Sequence, residues 1–277
     1  MNGCDCHIHI LDPAFPASGD ARILPGATLA NYRGVQPIFG TTRAVVVQSK
    51  AYGTDLACLL DALSRQEQGQ EWRGIAVVEP SIDDATLACL DAAGVRGVRF
   101  SLWNAADAVT RFDMLAPLAP RLAELGWHAQ IHMHADQVMA EARMLADLPC
   151  NLVFDHMGRL PPGPDAVGHP AFDFITGLSR DGRAWVKLSG PYLNRRSEHD
   201  SADWRAVGRA WVAAIPDRLV WGSDWPHVTE TGHVPDPADI RSTLTTWCDA
   251  DPTLEQHILS RNPGNLYGFS WASPHMT

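Results

Sequence analysis

Short apolar runs recur along the chain and alternate with longer segments in which apolar residues return at helical spacing. Five of these longer segments predict helices, at 55–66, 83–93, 113–125, 137–148 and 202–214, with Asp83 and Asp113 as N-caps. The short runs predict strands, at 4–10, 43–50, 74–80, 95–102, 128–134, 151–158, 184–191 and 218–226.

Strand and helix therefore alternate about eight times, which predicts the α/β class and a single (β/α)₈ TIM barrel. The 277 residues match the roughly 250 residues typical of that fold, so one domain is expected over residues 1–277. Residues 11–40 are rich in proline and glycine and have little periodicity. They predict a long loop over the barrel mouth, and the alternative is a surface excursion with no part in binding.

The charge balance narrows the range of partners. Lys and Arg number 22 against 32 Asp and Glu, a formal charge of -10, which repels nucleic acids and anionic membrane surfaces. No apolar stretch approaches the ~20 residues of a membrane span, and a cleaved signal peptide would remove His7 and His9. We therefore expect a cytoplasmic enzyme, and the sequence leaves open whether its subunits form a homo-oligomer.

The six cysteines are scattered along the chain, a pattern that favours reduced, buried thiols. Cys4 and Cys6 adjoin His7 and His9 in the first strand. By strand alternation they should point towards the outer helices and pack in the core rather than bind a metal.

Chemistry in such barrels lies at the carboxyl ends of the strands. His7 and His9 share one face of the first strand, about 7 Å apart, so both can reach one ion. A single histidine on an apolar strand is more often a core residue than a ligand. Here strand five adds His132 and His134 and strand eight adds Asp224, which together indicate a site.

Six segments of the chain carry motifs that belong together: 5–9, 48–55, 73–78, 96–100, 155–159 and 221–227. They resemble the amidohydrolase superfamily and, within it, the branch of lactone-opening enzymes. The first and last belong to the wider superfamily, whereas the middle four point to that branch, which includes pyrone-dicarboxylate lactonases, sulfomuconolactone hydrolases and galactarolactone isomerases. The resemblance implies a barrel enzyme in which Asp224 activates water and basic residues hold an anionic lactone.

Two departures from the pyrone-dicarboxylate enzymes bear on mechanism. Those enzymes are expected to work without a metal and have tyrosine at the position of His132. With histidine there, His7, His9, His132 and Asp224 suit a divalent metal, with Zn²⁺ preferred, as in the mononuclear sites of other superfamily members. The stretch 101–104 also lacks the second arginine expected for a dicarboxylated pyrone, which argues against that compound itself and leaves a muconolactone-, pyrone- or sugar-acid-lactone-like substrate as the expectation.

Lactone opening requires a base, stabilisation of an oxyanion and help for the leaving oxygen. Asp224 is the predicted base, and His156 is predicted to polarise the carbonyl or protonate the leaving oxygen. Rival readings are a metal-dependent decarboxylase, a lactone isomerase and a barrel that binds ligands without turnover. The remaining candidates are expected to contact the substrate: Lys50, Tyr52, Arg99, His134, Arg159, and Arg195 or Arg196.

Overall fold

The computed structural model describes residues 2–194, 202–230, 232 and 234–269. Within them, eight parallel strands pair in chain order and alternate with helices. The strands are β1 (Gly3–Ile8), β2 (Thr41–Val47), β3 (Glu71–Ala76), β4 (Val95–Ser101), β5 (His128–His132), β6 (Asn151–Phe154), β7 (Ala184–Leu188) and β8 (Leu219–Trp221). The helices are α1 (Leu29–Phe39), α2 (Ala57–Ser64), α3 (Asp84–Ala92), α4 (Leu115–Glu124), α5 (Ala135–Ala140), α6 (Ala142–Asp147), α7 (Pro170–Arg180), α8 (Ala202–Ala214), α9 (Pro237–Trp247), α10 (Pro252–Gln256) and α11 (Asn262–Tyr267).

The last strand returns to the first, which confirms the predicted (β/α)₈ barrel. Backbone hydrogen bonds join the end of β1 to the segment after β8. His9 N donates to Trp225 O at 2.8 Å, and Asp224 N donates to His7 O at 2.9 Å. Closure of the barrel therefore sets His7, His9 and Asp224 side by side.

β1 contains an irregularity that changes which way its side chains point. Asp5 pairs with Ala44 and Ile8 pairs with Val46, so β1 advances three residues where β2 advances two. One extra residue in a strand is a β-bulge, which interrupts the strict inward and outward alternation.

Because of this bulge, Cys6 and His7 can both face inward, and the predicted outward direction of Cys4 and Cys6 was wrong. Both are fully buried and pack with Val45, Val153 and Val220, the cluster inside the barrel, rather than against the outer helices. Asp5, between them, faces outward and accepts a hydrogen bond from the Tyr32 hydroxyl of α1 at 3.2 Å. The expected core packing of the two thiols holds, but their expected orientation was wrong.

The prediction of a continuous loop over residues 11–40 was also wrong, since its last third is α1. The Thr28 side chain caps the helix by accepting from Asn31 N, and Gly40 ends it in the left-handed region at φ 69°. Tyr32 and Phe39 are fully buried and attach the helix to the barrel. Gly34 and Pro37 lie inside this helix and concealed its periodicity.

Helix starts were predicted with mixed success. Asp83 caps α3 by accepting from Thr86 N at 2.6 Å, as predicted. Asp113 does not cap α4, because a 3₁₀ turn at Phe112–Met114 precedes that helix and the carboxylate pairs with Arg111 at 3.1 Å. The predicted helix at 137–148 is two short helices, α5 and α6.

Within the described residues, no helix combines the length and apolar character that a membrane crossing requires. The single domain predicted for residues 1–277 extends beyond the described ranges and stays a prediction.

Candidate active site

Three of the four predicted metal ligands meet at the carboxyl end of the barrel. The Nε2 atoms of His7 and His9 are 3.4 Å apart, and His7 Nε2 is 3.6 Å from Asp224 Oδ1. Ligand atoms bound ~2.0–2.2 Å from one tetrahedral ion lie roughly 3.3–3.6 Å apart. His7, His9 and Asp224 therefore fit a divalent metal, and all three are buried.

The orientation of His9 suits this purpose. Its Nδ1 lies 2.8 Å from Val47 O, and a carbonyl oxygen can only accept, so the His9 proton resides on Nδ1. Burial lowers the pKa of His9 to about 3, which keeps the ring neutral. The lone pair on Nε2 is consequently available to an ion or a donor.

Asp224 has the environment of a base that works near neutral pH. It follows β8 in the left-handed region at φ 63°. Burial raises the pKa of its carboxyl to about 7, although a hydrogen bond from Tyr192 opposes the rise. The Tyr192 hydroxyl donates to Asp224 Oδ2 and lies 3.2 Å from His227 Nδ1. Tyr192 thus holds the carboxylate from the side opposite His7.

His156 lies next to His7 and His132. It starts a left-handed turn after β6, with φ 51°, and its Nδ1 is 3.0 Å from Ser189 Oγ. Its ring centroid is 4.8 Å from those of His7 and His132. Burial keeps the pKa of His156 well below its usual value, so a neutral imidazole faces the catalytic space.

His132 lies beside this group rather than within it. Its Nδ1 is 3.2 Å from Ser101 Oγ and 3.3 Å from a terminal nitrogen of Arg99. Its Nε2 is buried and lacks a hydrogen-bond partner among the residues described. His132 as a fourth metal ligand stays a prediction.

A buried layer of charge lies beneath the histidines. Lys187 Nζ donates to Gln130 Oε1 at 2.7 Å and to Cys6 O at 2.8 Å, and Asp155 Oδ2 accepts from Gln130 and from Arg99 Nε at 3.1 and 3.2 Å. Burial alone would raise the pKa of Asp155, but Lys187 and Arg99 outweigh it and lower the pKa to about 2. Burial lowers the pKa of Lys187 to about 8.

Three of the predicted substrate contacts gather around Trp103 at the rim. Lys50 Nζ and the guanidinium carbon of Arg159 are 5.8 and 5.2 Å from the centroid of the Trp103 ring. His134 is exposed, with its ring centroid 5.9 Å from that of Trp103. Lys50 is also paired with Asp107 at 2.6 Å. Two cations and one histidine, whose pKa is lowered by burial and by Arg159, therefore lie around one aromatic ring.

The other predicted contacts have different surroundings. The Tyr52 hydroxyl donates to Asp12 O at 2.9 Å and accepts from Asp12 N at 2.7 Å, so it anchors the loop after β1. Arg99 is buried and engaged with Asp155. Arg195 and Arg196 lie outside the described residues. Substrate contact by any of these residues stays a prediction.

Sequence reasoning did not assign a role to four residues that the structure brings to the site: Gln130, Asp155, Lys187 and Tyr192. Lys187 offered a signal, because a lysine inside an apolar strand needs buried partners. Asp155 offered another, since it lies directly after β6 and before His156. Tyr192 follows β7 by four residues, and only the folded chain shows that it reaches Asp224.

Comparison with known proteins agrees with this geometry. The amidohydrolase family model matches residues 4–269. A 2-pyrone-4,6-dicarboxylate hydrolase of Comamonas testosteroni is 33% identical over 95% of this chain and 89% of its own length. A 4-sulfomuconolactone hydrolase of Hydrogenophaga intermedia is 28% identical over 95% and 88%.

A solved structure also matches nearly the whole chain. A Pseudomonas putida protein assigned as a 2-pyrone-4,6-dicarboxylic acid hydrolase superposes with a TM-score of 0.82 at 30% identity, over 98% of each chain. The chain belongs to the amidohydrolase family, and its similarity to these proteins lies in the lactonase branch of that superfamily.

Proposed function

We propose that this protein hydrolyses a small anionic lactone of the muconolactone, pyrone or sugar-acid type. The observation that carries the proposal is Asp224, a buried carboxyl whose pKa is raised to about 7, next to two histidines at the end of a barrel. The similarity to lactone-opening relatives supports the same reaction class.

In this proposal Asp224 takes the proton from the attacking water, and in the absence of a bound ion its pKa lies near the working pH, as suits a general base. Neutral His156 faces the same space and polarises the lactone carbonyl through its N–H, and the proton that Asp224 takes from water is returned to the departing ring oxygen. Arg159 at the rim and Arg99 below it hold the anionic group of the substrate through directed hydrogen bonds.

A divalent metal, preferably Zn²⁺, is part of the proposal. His7, His9 and Asp224 would hold it, with His132 as the predicted fourth ligand. When bound, such an ion supplies a Lewis acid that lowers the pKa of water and polarises a carbonyl. We expect close to one equivalent of Zn²⁺ or Mn²⁺ in purified protein, and loss of activity with a strong chelator that is reversed by added metal. Full turnover by metal-free protein would contradict this part.

The reaction is tested by screening small acidic lactones for proton release. Hydrolysis produces a new carboxylic acid and hence one proton per turnover. A new lactone formed without net proton release would instead indicate an isomerase, and release of CO₂ would indicate a metal-dependent decarboxylase. No turnover across the panel would favour a barrel that only binds its ligand. A cytoplasmic location stays a prediction, and subunit assembly is left open.

A further inference from the structure

His7 has competing neighbours on both of its ring nitrogens. Nδ1 is 3.5 Å from Lys187 Nζ and 3.3 Å from Asp155 Oδ1. Nε2 is 3.4 Å from His9 Nε2 and 3.6 Å from Asp224 Oδ1. A neutral imidazole carries one proton, so only one nitrogen donates and the other offers a lone pair. Which nitrogen carries the proton decides whether His7 can bind a metal through Nε2.

Without an ion, the contacts favour the proton on Nε2. The proton of His9 is held on Nδ1 by Val47 O at 2.8 Å, so His9 Nε2 presents a lone pair to His7. Two facing lone pairs repel, whereas His7 Nε2–H would donate across the 3.4 Å gap. His7 Nδ1 is then the acceptor.

Lys187 supplies the donor that this arrangement needs. Its amino group already donates to Gln130 and Cys6, and a lysine ammonium has three protons. The third faces His7 Nδ1. Lys187, His7, His9 and Val47 O thereby form one continuous relay of hydrogen bonds that is complete without a metal.

Metal binding requires the other tautomer of His7. Nε2 must give its lone pair to the ion, so the proton resides on Nδ1. There it faces the amino group of Lys187, and two donors then point at each other. Asp155 Oδ1 lies 3.3 Å away on the same side and is buried without a hydrogen-bond partner among the residues described. After a small reorientation of the ring or the carboxylate it can accept this proton, as a carboxylate behind a metal-binding histidine commonly does.

We propose that Lys187 is a positioning residue that holds His7 in the Nε2–H tautomer and thereby weakens metal binding, while Asp155 favours the opposite tautomer. The change moves one proton between the two nitrogens of the same ring through solvent, with no net uptake or release. The inference concerns the metal affinity of the proposed site. Its test uses Zn²⁺ alone, so it can fail separately from lactone hydrolysis.

The direct test is Lys187→Met, which retains an apolar chain of similar length but cannot donate. We expect Zn²⁺ affinity, measured by competition with a chromophoric chelator, to rise about tenfold, the low end of effects from groups that orient metal ligands. Arg43→Met is the matched control. This substitution also removes a buried cation inside the barrel, but Arg43 lies against Phe269 at the amino end, away from the proposed metal site. The Zn²⁺ affinity of Arg43→Met should equal that of the unmodified protein.

Removing a nearby positive charge would by itself raise metal affinity, so the tautomer is the deciding readout. Long-range ¹H–¹⁵N correlation spectra distinguish the two protonated nitrogens, and the signals of His7 are those missing in His7→Gln. We expect Nε2–H in the metal-free protein, and Nδ1–H after Zn²⁺ addition and in metal-free Lys187→Met.

Two results would overturn the proposal. One is metal-free protein with the His7 proton on Nδ1, and the other is Lys187→Met with unchanged Zn²⁺ affinity. The spectrum of the unmodified protein decides the question even if Lys187→Met does not fold.

Discussion

The two ends of the barrel are built from the same eight strands but have opposite character. At the amino end, Tyr267 and Phe269 close the interior against Cys4, Cys6 and Val45. At the carboxyl end, the inward positions hold buried histidines and carboxylates. Two of their atoms, His132 Nε2 and Asp155 Oδ1, lack hydrogen-bond partners among the described residues. The amino end is packed mainly with aromatic and apolar side chains, although the Tyr267 hydroxyl and His128 Nε2 are also buried without a partner among the described residues, whereas the carboxyl end concentrates the ionisable groups of the candidate site.

Charged groups at the amino end illustrate the contrast. The guanidinium groups of Arg43 and Arg73 lie 5.3 and 4.8 Å from the centroid of the Phe269 ring. Arg73 also donates to the carbonyl oxygens of Tyr267 and Gly268 at 3.2 and 3.0 Å. These two arginines therefore make contacts that stabilise the fold, which is the expected role of the amino end of such a barrel.

Five of the seven described non-glycine residues with positive φ follow β6 or β8, and the other two, Asp249 and Ala250, follow α9. His156, Met157 and Asp224 have positive φ values of 51, 58 and 63°, and such conformations cost on the order of 1–3 kcal/mol each. Local contacts maintain them, since Trp211 Nε1 donates to Met157 O at 3.1 Å and Asp224 N to His7 O at 2.9 Å. The side chains of His156 and Asp224 are therefore oriented by backbone conformations that lower the stability of the fold.

The largest expected effect is that of Asp224→Asn. Asparagine has nearly the same shape but cannot accept a proton, so kcat should fall about 10²-fold to 10⁴-fold while the protein still folds. Circular dichroism and steady-state kinetics check both parts. His156→Asn should lose less if His156 only polarises the carbonyl. Folded Asp224→Asn with most of its kcat would refute the assignment and make His156 the leading candidate for the base.

At the amino end, Phe269→Ala should affect stability alone. It removes a ring that is 97% buried and two cation–π contacts, and truncation of a buried phenylalanine costs about 3 kcal/mol or more. Urea unfolding measures the loss, and kcat and KM of the remaining folded protein should be unchanged. A change in KM would show that the two ends are coupled.

Arg99→Met tests whether an arginine below the histidines serves the substrate or the fold. If it binds the anionic group, KM for a charged lactone should rise about tenfold, the effect of a lost charged hydrogen bond. An uncharged lactone is the control and should be nearly unaffected. Equal losses for both substrates would mean that Arg99 acts mainly through its contact with Asp155.

The sequence was sufficient for the fold and for the approach of His7 and His9 to each other, whereas their role as metal ligands stays a prediction. The alternation of short apolar runs with helical segments predicted the barrel, and the spacing of His7 and His9 predicted that they share one face of the first strand. Other features depend on the folded chain, such as the bulge that turns Cys6 inward, because a single extra residue in β1 appears only in its pairing with β2. The buried ion pair of Asp155 and Lys187, 3.8 Å apart, is another such feature, because the positions of the two residues in the sequence do not show that they meet.

The smallest effect, and the one most specific to the carboxyl end, is expected from Tyr192→Phe in metal-free protein. The Tyr192 hydroxyl donates to Asp224 and stabilises its charged form, which lowers the pKa of that carboxyl. Its removal should raise the pKa above about 7, so less of the base is ionised at neutral pH. Infrared difference spectra against Asp224→Asn should show the ionised Asp224 carboxylate about threefold to tenfold weaker at pH 7 than in the unmodified protein and recovering as the pH is raised, because one pKa unit corresponds to a tenfold change in the ratio of the two forms. An unchanged titration of this band would mean that Tyr192 aligns Asp224 without altering its proton affinity.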